Sequence, residues 1–108
     1  MAGKARKATA TTRRTTKKLP ATLWSALGPV EVRVQSAGLD KDFGEWDAEQ
    51  RVIQVRPGVH PSTARHTTGH EWVHSILWDA GLTAHFPPNL EELVCDAIAT
   101  ALVASNYL

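Results

Sequence analysis

The apolar positions of this chain switch period along its length, from alternation in the middle to helical spacing towards the end. Leu90, Leu93, Val94, Ala97, Ile98, Ala101 and Leu102 recur at the 3.6-residue spacing of a helix, and predict one from Asn89 to about Ser105. Val73, Ile76, Leu77 and Ala80 repeat the pattern and predict an earlier helix from about Thr63 to Ala80. Ser62 stands where an N-cap belongs, and Gly81 where a left-handed stop does. Between the helices, Leu82 to Pro88 reads as a loop ended by Pro87-Pro88.

Upstream, Val30-Glu31-Val32-Arg33-Val34-Gln35 alternates apolar and polar residues, as a strand with Val30, Val32 and Val34 inward. After a turn-rich link, Gly38 to Asp42, Phe43–Asp47 and Arg51–Val55 read as two strands joined by a tight connection. Acidic residues near that turn and Arg51 suggest an ordinary solvated hairpin end, and Pro57-Gly58 closes it. Leu19, Leu23, Trp24 and Leu27 precede a Gly28-Pro29 break, with Pro20 suited to the first turn of a short helix.

The chain of 108 residues is long enough for one domain, and 43% hydrophobic residues give a small core. A formal charge of +1 hides an asymmetry. Residues 1–18 hold Lys4, Arg6, Lys7, Arg13, Arg14, Lys17 and Lys18 with no acid, while residues 19–108 hold five basic and eleven acidic residues. The arm has almost nothing large to bury, so it is expected to be disordered in isolation. It suits contact with nucleic acid or another polyanion, or serves as a solubilising tail. The single Cys95 excludes an internal disulfide and a Cys-rich zinc knuckle. No apolar run approaches the ~20 residues needed to span a membrane, and the N-terminus lacks the apolar segment of a secretory signal. The expectation is a soluble, cytoplasmic protein without membrane partners.

Within the first helix lies His70-Glu71-Trp72-Val73-His74, an H-E-x-x-H sequence. Residues four apart share a helix face, so both imidazoles point at one ion, and Glu71 reaches a water beside it. This is the spacing of a metal-hydrolase site, usually zinc. A third protein ligand is required. The longer form with a third His six residues on is excluded, because Asp79 and Ala80 stand there and the required Gly is missing. Glu91 and Glu92 follow His74 by seventeen and eighteen residues on an antiparallel helix, and Asp96 lies one turn beyond Glu92. Against Glu92 as ligand stands its place in Asn89-Leu90-Glu91-Glu92, which resembles a capping box.

The motif, followed by Glu92-Leu93-Val94-Cys95-Asp96-Ala97-Ile98-Ala99, resembles the Glu-zincin metallopeptidases. It is closest to small phage-type members and to the ImmA/IrrE-like family, whose third ligand opens an E-x-x-A-[N/D]-x-F-A helix. Cys95 and Ile98 depart from that pattern; Asp96 and Ala99 keep it. The resemblance spans roughly Phe43 to Val103. It implies His70, His74 and Glu92 as ligands of Zn2+, and Glu71 as the catalytic base. Asp96 would then accept the free N–H of a ligand histidine.

The resulting expectation is an α+β, minimal zincin-like domain over residues 19–108, with a small antiparallel sheet packed on two core helices. Its function would be zinc-dependent hydrolysis of a protein or peptide, with the substrate pairing along the Arg51–Val55 strand. The rivals are a catalytically silent metal-binding protein and a nucleic-acid-associated accessory protein using the basic arm. Gly69 suggests close approach by a strand, a substrate or a helix. His66 is a further imidazole on the motif face, or an exposed helical one. His85 and Tyr107 are candidates for stabilising an oxyanion. Cys95 reads as a core thiol, and the four Trp as packing residues.

Overall fold

The computed structural model describes residues 18–36, 38–39 and 41–108, so the basic arm lies outside the described residues apart from Lys18. The elements run β1 (Thr22–Ser25), β2 (Gly28–Val34), β3 (Gly44–Asp47), β4 (Val52–Val55), α1 (Pro61–Asp79), a short 3-10 turn (Thr83–His85) and α2 (Pro88–Ala104). The architecture is α+β: a four-stranded mixed sheet, ordered β1-β2-β4-β3, packed against two helices.

The sheet differs from the expected antiparallel one. β1 and β2 form a hairpin, and β3 and β4 another, but β2 and β4 run parallel. The chain leaves β2, passes over one strand position to lay down β3, and turns back into the vacant slot as β4. That return sets β4 parallel to β2 and makes it central, so the Arg51–Val55 segment is not an edge. β3 is the edge on that side.

The expected helix near Leu19 to Leu27 is instead β1. Leu23 turns inward at 8% exposure and Trp24 outward at 70%, the two-residue period of a strand. Gly28 does not break the chain but begins β2; its φ of 135° is open to glycine and lets the chain reverse after Leu27. Val30 and Val32 are buried as expected, whereas Val34 is exposed beyond the core. Leu23, Val30, Val32, Ile53, Val55 and Leu108 make the core, with Trp46, Ala64, Trp72 and Leu102 packed on it. Fully burying side chains such as Val30 and Ile53 contributes about 1.5–3 kcal/mol each. Of the tryptophans, Trp46 and Trp72 pack as expected; Trp24 and Trp78 are exposed.

α1 begins at Pro61, and its N-cap is His60 rather than Ser62: His60 Nδ1 accepts the Ser62 N–H at 3.1 Å. Gly81, with φ of 76°, follows its end as expected. Gly69 serves helix packing. A Cβ there would sit 3.3 Å from Ala99 Cα and 3.2 Å from Leu108 Cδ1, so the glycine sets how closely α2 approaches.

α2 forms where the apolar spacing predicts, but that stripe is not its buried face. Glu91, Cys95 and Ala99 are buried; Leu90, Leu93 and Ile98 are exposed. Cys95 joins Val73, Leu77 and Phe86 between the helices, the core thiol expected. The small side chains of Cys95 and Ala99 allow the close helix contact at Gly69, so packing distance rather than hydrophobicity selects the face.

Arg51 is no solvated hairpin end. It holds Asp79 through Nη1 at 3.0 Å and Nη2 at 2.8 Å, and leans over the Trp46 ring. Asp79 sits in the last turn of α1, where a negative charge opposes the helix dipole. The guanidinium offsets that charge and ties the β3–β4 hairpin to the helix end.

Candidate metal centre

α1 and α2 lie antiparallel, and their shared edge brings the sequence-predicted residues together. His70 and His74 stand one turn apart on α1, with Nε2 atoms 3.0 Å from each other. Glu92 on α2 reaches both: Oε1 is 2.9 Å from His70 Nε2, and Oε2 is 3.0 Å from His74 Nε2. No capping box competes for it. α2 starts at Pro88 with Pro87 as N-cap and no side-chain cap hydrogen bond, so Asn89 is already inside the helix.

The far side of each imidazole is held by another carboxylate. His70 Nδ1 lies 2.7 Å from Asp96 Oδ1, and His74 Nδ1 2.6 Å from Glu91 Oε2. An ionised carboxylate only accepts, so each Nδ1 carries the proton and donates it. In the neutral imidazole so oriented, Nε2 is the lone-pair side. The two Nε2 atoms and the Glu92 carboxylate converge on one point, an arrangement that could hold a cation.

The donor set is one a divalent ion could use; zinc, for instance, takes imidazole nitrogen and carboxylate oxygen at about 2.0–2.2 Å. Ligands at that radius in a tetrahedron stand about 3.3–3.5 Å apart, slightly wider than the separations here. The outer carboxylates fix the tautomer and raise the basicity of the nitrogens, as metal-ligating histidines require.

Glu71 points at the same place from the other side, with Oε2 4.0 Å from His70 Nε2 and its side chain 13% exposed. Burial pushes its carboxyl above the usual range; His74, His70 and a hydrogen bond from the Trp46 backbone N–H oppose that shift, and Glu92 adds to it. The Trp46 contact follows from strand parity. The Arg56 N–H donates to Phe43 O at 2.7 Å, so alternate residues of β3 bond to β4, while Gly44 and Trp46 turn their main-chain groups away from it. The free edge of β3 therefore faces the histidines. Gly44 permits this approach: a Cβ there would overlap Thr67 Cγ2 and lie 2.8 Å from Gln54 O.

Together these elements wall a cleft of ≈ 610 Å³, with Phe43, Gly44 and Trp46 along one side and the α1 and α2 side chains along the other. His66 lines it without joining the ligands; its Nε2 is 3.4 Å from Thr100 Oγ1 and 4.0 Å from Asp96 Oδ1. His85 and Tyr107 do not line it, and Tyr107 instead stacks on Trp72 at 5.9 Å between ring centroids. A ligand atom of Cys95 lies within 4.8 Å of those of His74 and Glu91. Burial, reinforced by Glu91 and other acidic neighbours, pushes that thiol up to about 12, so it keeps its proton and is a poor ligand.

Sequence reasoning passed over Glu91 as the partner of His74, and β3 as the edge. A signal for Glu91 was present in the helical phase: it precedes Cys95 and Ala99 by four and eight residues, on the face of small residues that packs on α1.

No protein-family model matches this chain, and no curated protein or solved structure matches it. Among the described residues, no helix is long and apolar enough to cross a membrane.

Proposed function

We propose that the protein is a zinc-dependent peptidase whose ligands are His70, His74 and Glu92. The observation that carries this reading is the convergence of two imidazole Nε2 atoms and a carboxylate, with both Nδ1 atoms held against acids. When bound, the ion supplies Lewis acidity at the scissile carbonyl and acidifies the attacking water.

The chain's own residues do the rest. Glu71 takes a proton from the water and returns it to the leaving nitrogen, a task suited by a carboxyl whose pKa is raised. Asp96 and Glu91 hold the imidazoles in register. The main-chain groups of Gly44 on the free β3 edge orient an extended peptide beside the ligands, by strand addition.

A second reading, a metal-bound protein without hydrolysis, is favoured by one fact: neither His85 nor Tyr107 reaches the cleft to stabilise an oxyanion. Zinc content and peptide cleavage separate the two. Wild type and Glu71→Gln are expected to carry about one zinc per chain, and Glu92→Ala to lose it. Cleavage of a peptide library by zinc-loaded wild type, absent in Glu71→Gln, supports the peptidase. Zinc without cleavage leaves the silent reading, and a metal-free wild type sinks both.

A further inference from the structure

The cleft carries a charge that the rest of the folded body does not answer. Six of the eleven carboxylates of the chain line it, namely Asp42, Glu45, Glu71, Glu91, Glu92 and Asp96, and among the described residues no Lys or Arg does. Three acids elsewhere have partners: Glu31 pairs with Arg33 at 2.8 Å, Asp79 with Arg51 at 2.8 Å, and Asp47 accepts the N–H groups of Glu49 and Gln50. With neutral imidazoles and one divalent ion seated, six carboxylates still leave the cleft four charges negative. Asp42 and Glu45 belong neither to the ligand set nor to the pairs that hold the histidines. They flank the free edge of β3, next to Phe43, which is 53% exposed.

One segment of this chain has the opposite character. Residues 1–18 contain seven Lys or Arg and no acid, with alanine and threonine between them. Its length suffices. The described chain enters at Lys18 and runs into β1, at the sheet edge opposite β3. Crossing three strand spacings takes about 14 Å, whereas seventeen extended residues span up to about 56 Å. Small side chains let such a segment lie as a strand against a backbone edge. Tethering also raises its local concentration to roughly millimolar, so each ion pair needs to contribute little.

We propose that the chain's own basic arm, residues 1–18, docks in the acidic cleft along the β3 edge. Asp42 and Glu45 are the residues that select it. The docking concerns the same cleft as the proposed peptidase but does not depend on hydrolysis there.

The test is carbodiimide cross-linking of the full-length, metal-free protein, read by mass spectrometry, on an equal mixture of 15N-labelled and unlabelled chains. The expected result is amide links from Lys4 or Lys7 to Asp42, Glu45, Glu92 or Asp96 within one chain, lost in 1 M NaCl. In the Asp42→Asn/Glu45→Gln variant, the remaining links to Glu92 and Asp96 should fall several-fold. Absence of cleft links at low salt, equal links to Glu31 and Glu49, or links only between chains would overturn the proposal. Intrachain cleft links in the metal-free protein, together with no peptide cleavage by the zinc-loaded Asp42→Asn/Glu45→Gln variant, would sink the peptidase reading alone. Peptide cleavage without such links would sink the docking alone.

Discussion

Two charged constellations join α1 to its neighbours, and they differ in whether they are complete. At the helix end, Arg51 and Asp79 form a bidentate pair whose acid is 1% exposed, cation against anion. Earlier in the helix, the Nε2 atoms of His70 and His74 face each other and the Glu92 carboxylate. The first site is satisfied by the chain itself; the second is the one we propose a bound cation satisfies. A cation paired with an anion argues for structure, whereas converging groups that all lack a cationic partner argue for a ligand, even where the residues involved are equally polar.

Changes at each site test that contrast. The largest effect is expected from Glu71→Gln, which should lower peptide cleavage by about 10²–10⁴-fold with zinc content unchanged. A Glu71→Gln enzyme that still cleaves would remove Glu71 from the chemistry. Next is Asp79→Asn, which strands the guanidinium and should cost on the order of 3 kcal/mol in urea unfolding, while the folded protein still binds zinc. Loss of zinc affinity in the folded variant would show that the two sites are not separate.

Smaller is the effect of Asp96→Asn or Glu91→Gln, expected to weaken zinc by about 10–100-fold in competition with a chelator, without loss of fold. Unchanged affinity would mean that the outer carboxylates only pack.

The smallest effect is one of sign. Arg51, first, and the Leu27 N–H hold the Asp79 carboxyl well below the usual range. Its contribution is thus full above the unfolded value near pH 4 and is lost as pH falls towards the folded one. Glu71 shifts the other way, so at neutral pH its buried charge costs stability in the metal-free protein. Metal-free Glu71→Gln should therefore melt slightly higher than wild type near pH 7, and Asp79→Asn should show a flatter loss of stability below pH 4. A lower melting point for metal-free Glu71→Gln would contradict the burial argument.

Much of this was legible because helical phase is legible. The i, i+4 spacing of His70 and His74, and of Glu92 and Asp96, assigns each pair to one face before any packing is known. The β3–β4 hairpin could be read from alternation and turn residues. What alternation does not encode is which strand lies beside which, and so β4 was expected at the edge when it is central. The buried face of α2 was hidden for another reason. Contact at Gly69 and Ala99 favours small residues, and Leu93, 65% exposed, is too large for that face. Trp24 and Leu27 suggested a helix because a strand of four residues offers too few alternations to be distinguished.

The adjacent Glu91 and Glu92 illustrate how little length tolerance α2 has. About 100° of helix rotation separates a side chain that holds His74 Nδ1 from one that meets Nε2 of both histidines. Inserting one residue between Pro88 and Glu91 would carry every later side chain through that angle, pushing Glu92 past the histidines and Cys95 out of the interface. Deleting one would move Glu92 into the place of Glu91 and turn Leu93 towards the two Nε2 atoms. The connection between Gly81 and Pro87 is under no such phase constraint, since it sets only where the helix begins. Among descendants of this sequence, insertions and deletions should therefore accumulate in that connection, while the stretch from Pro88 to Asp96 keeps its length even where its residues change.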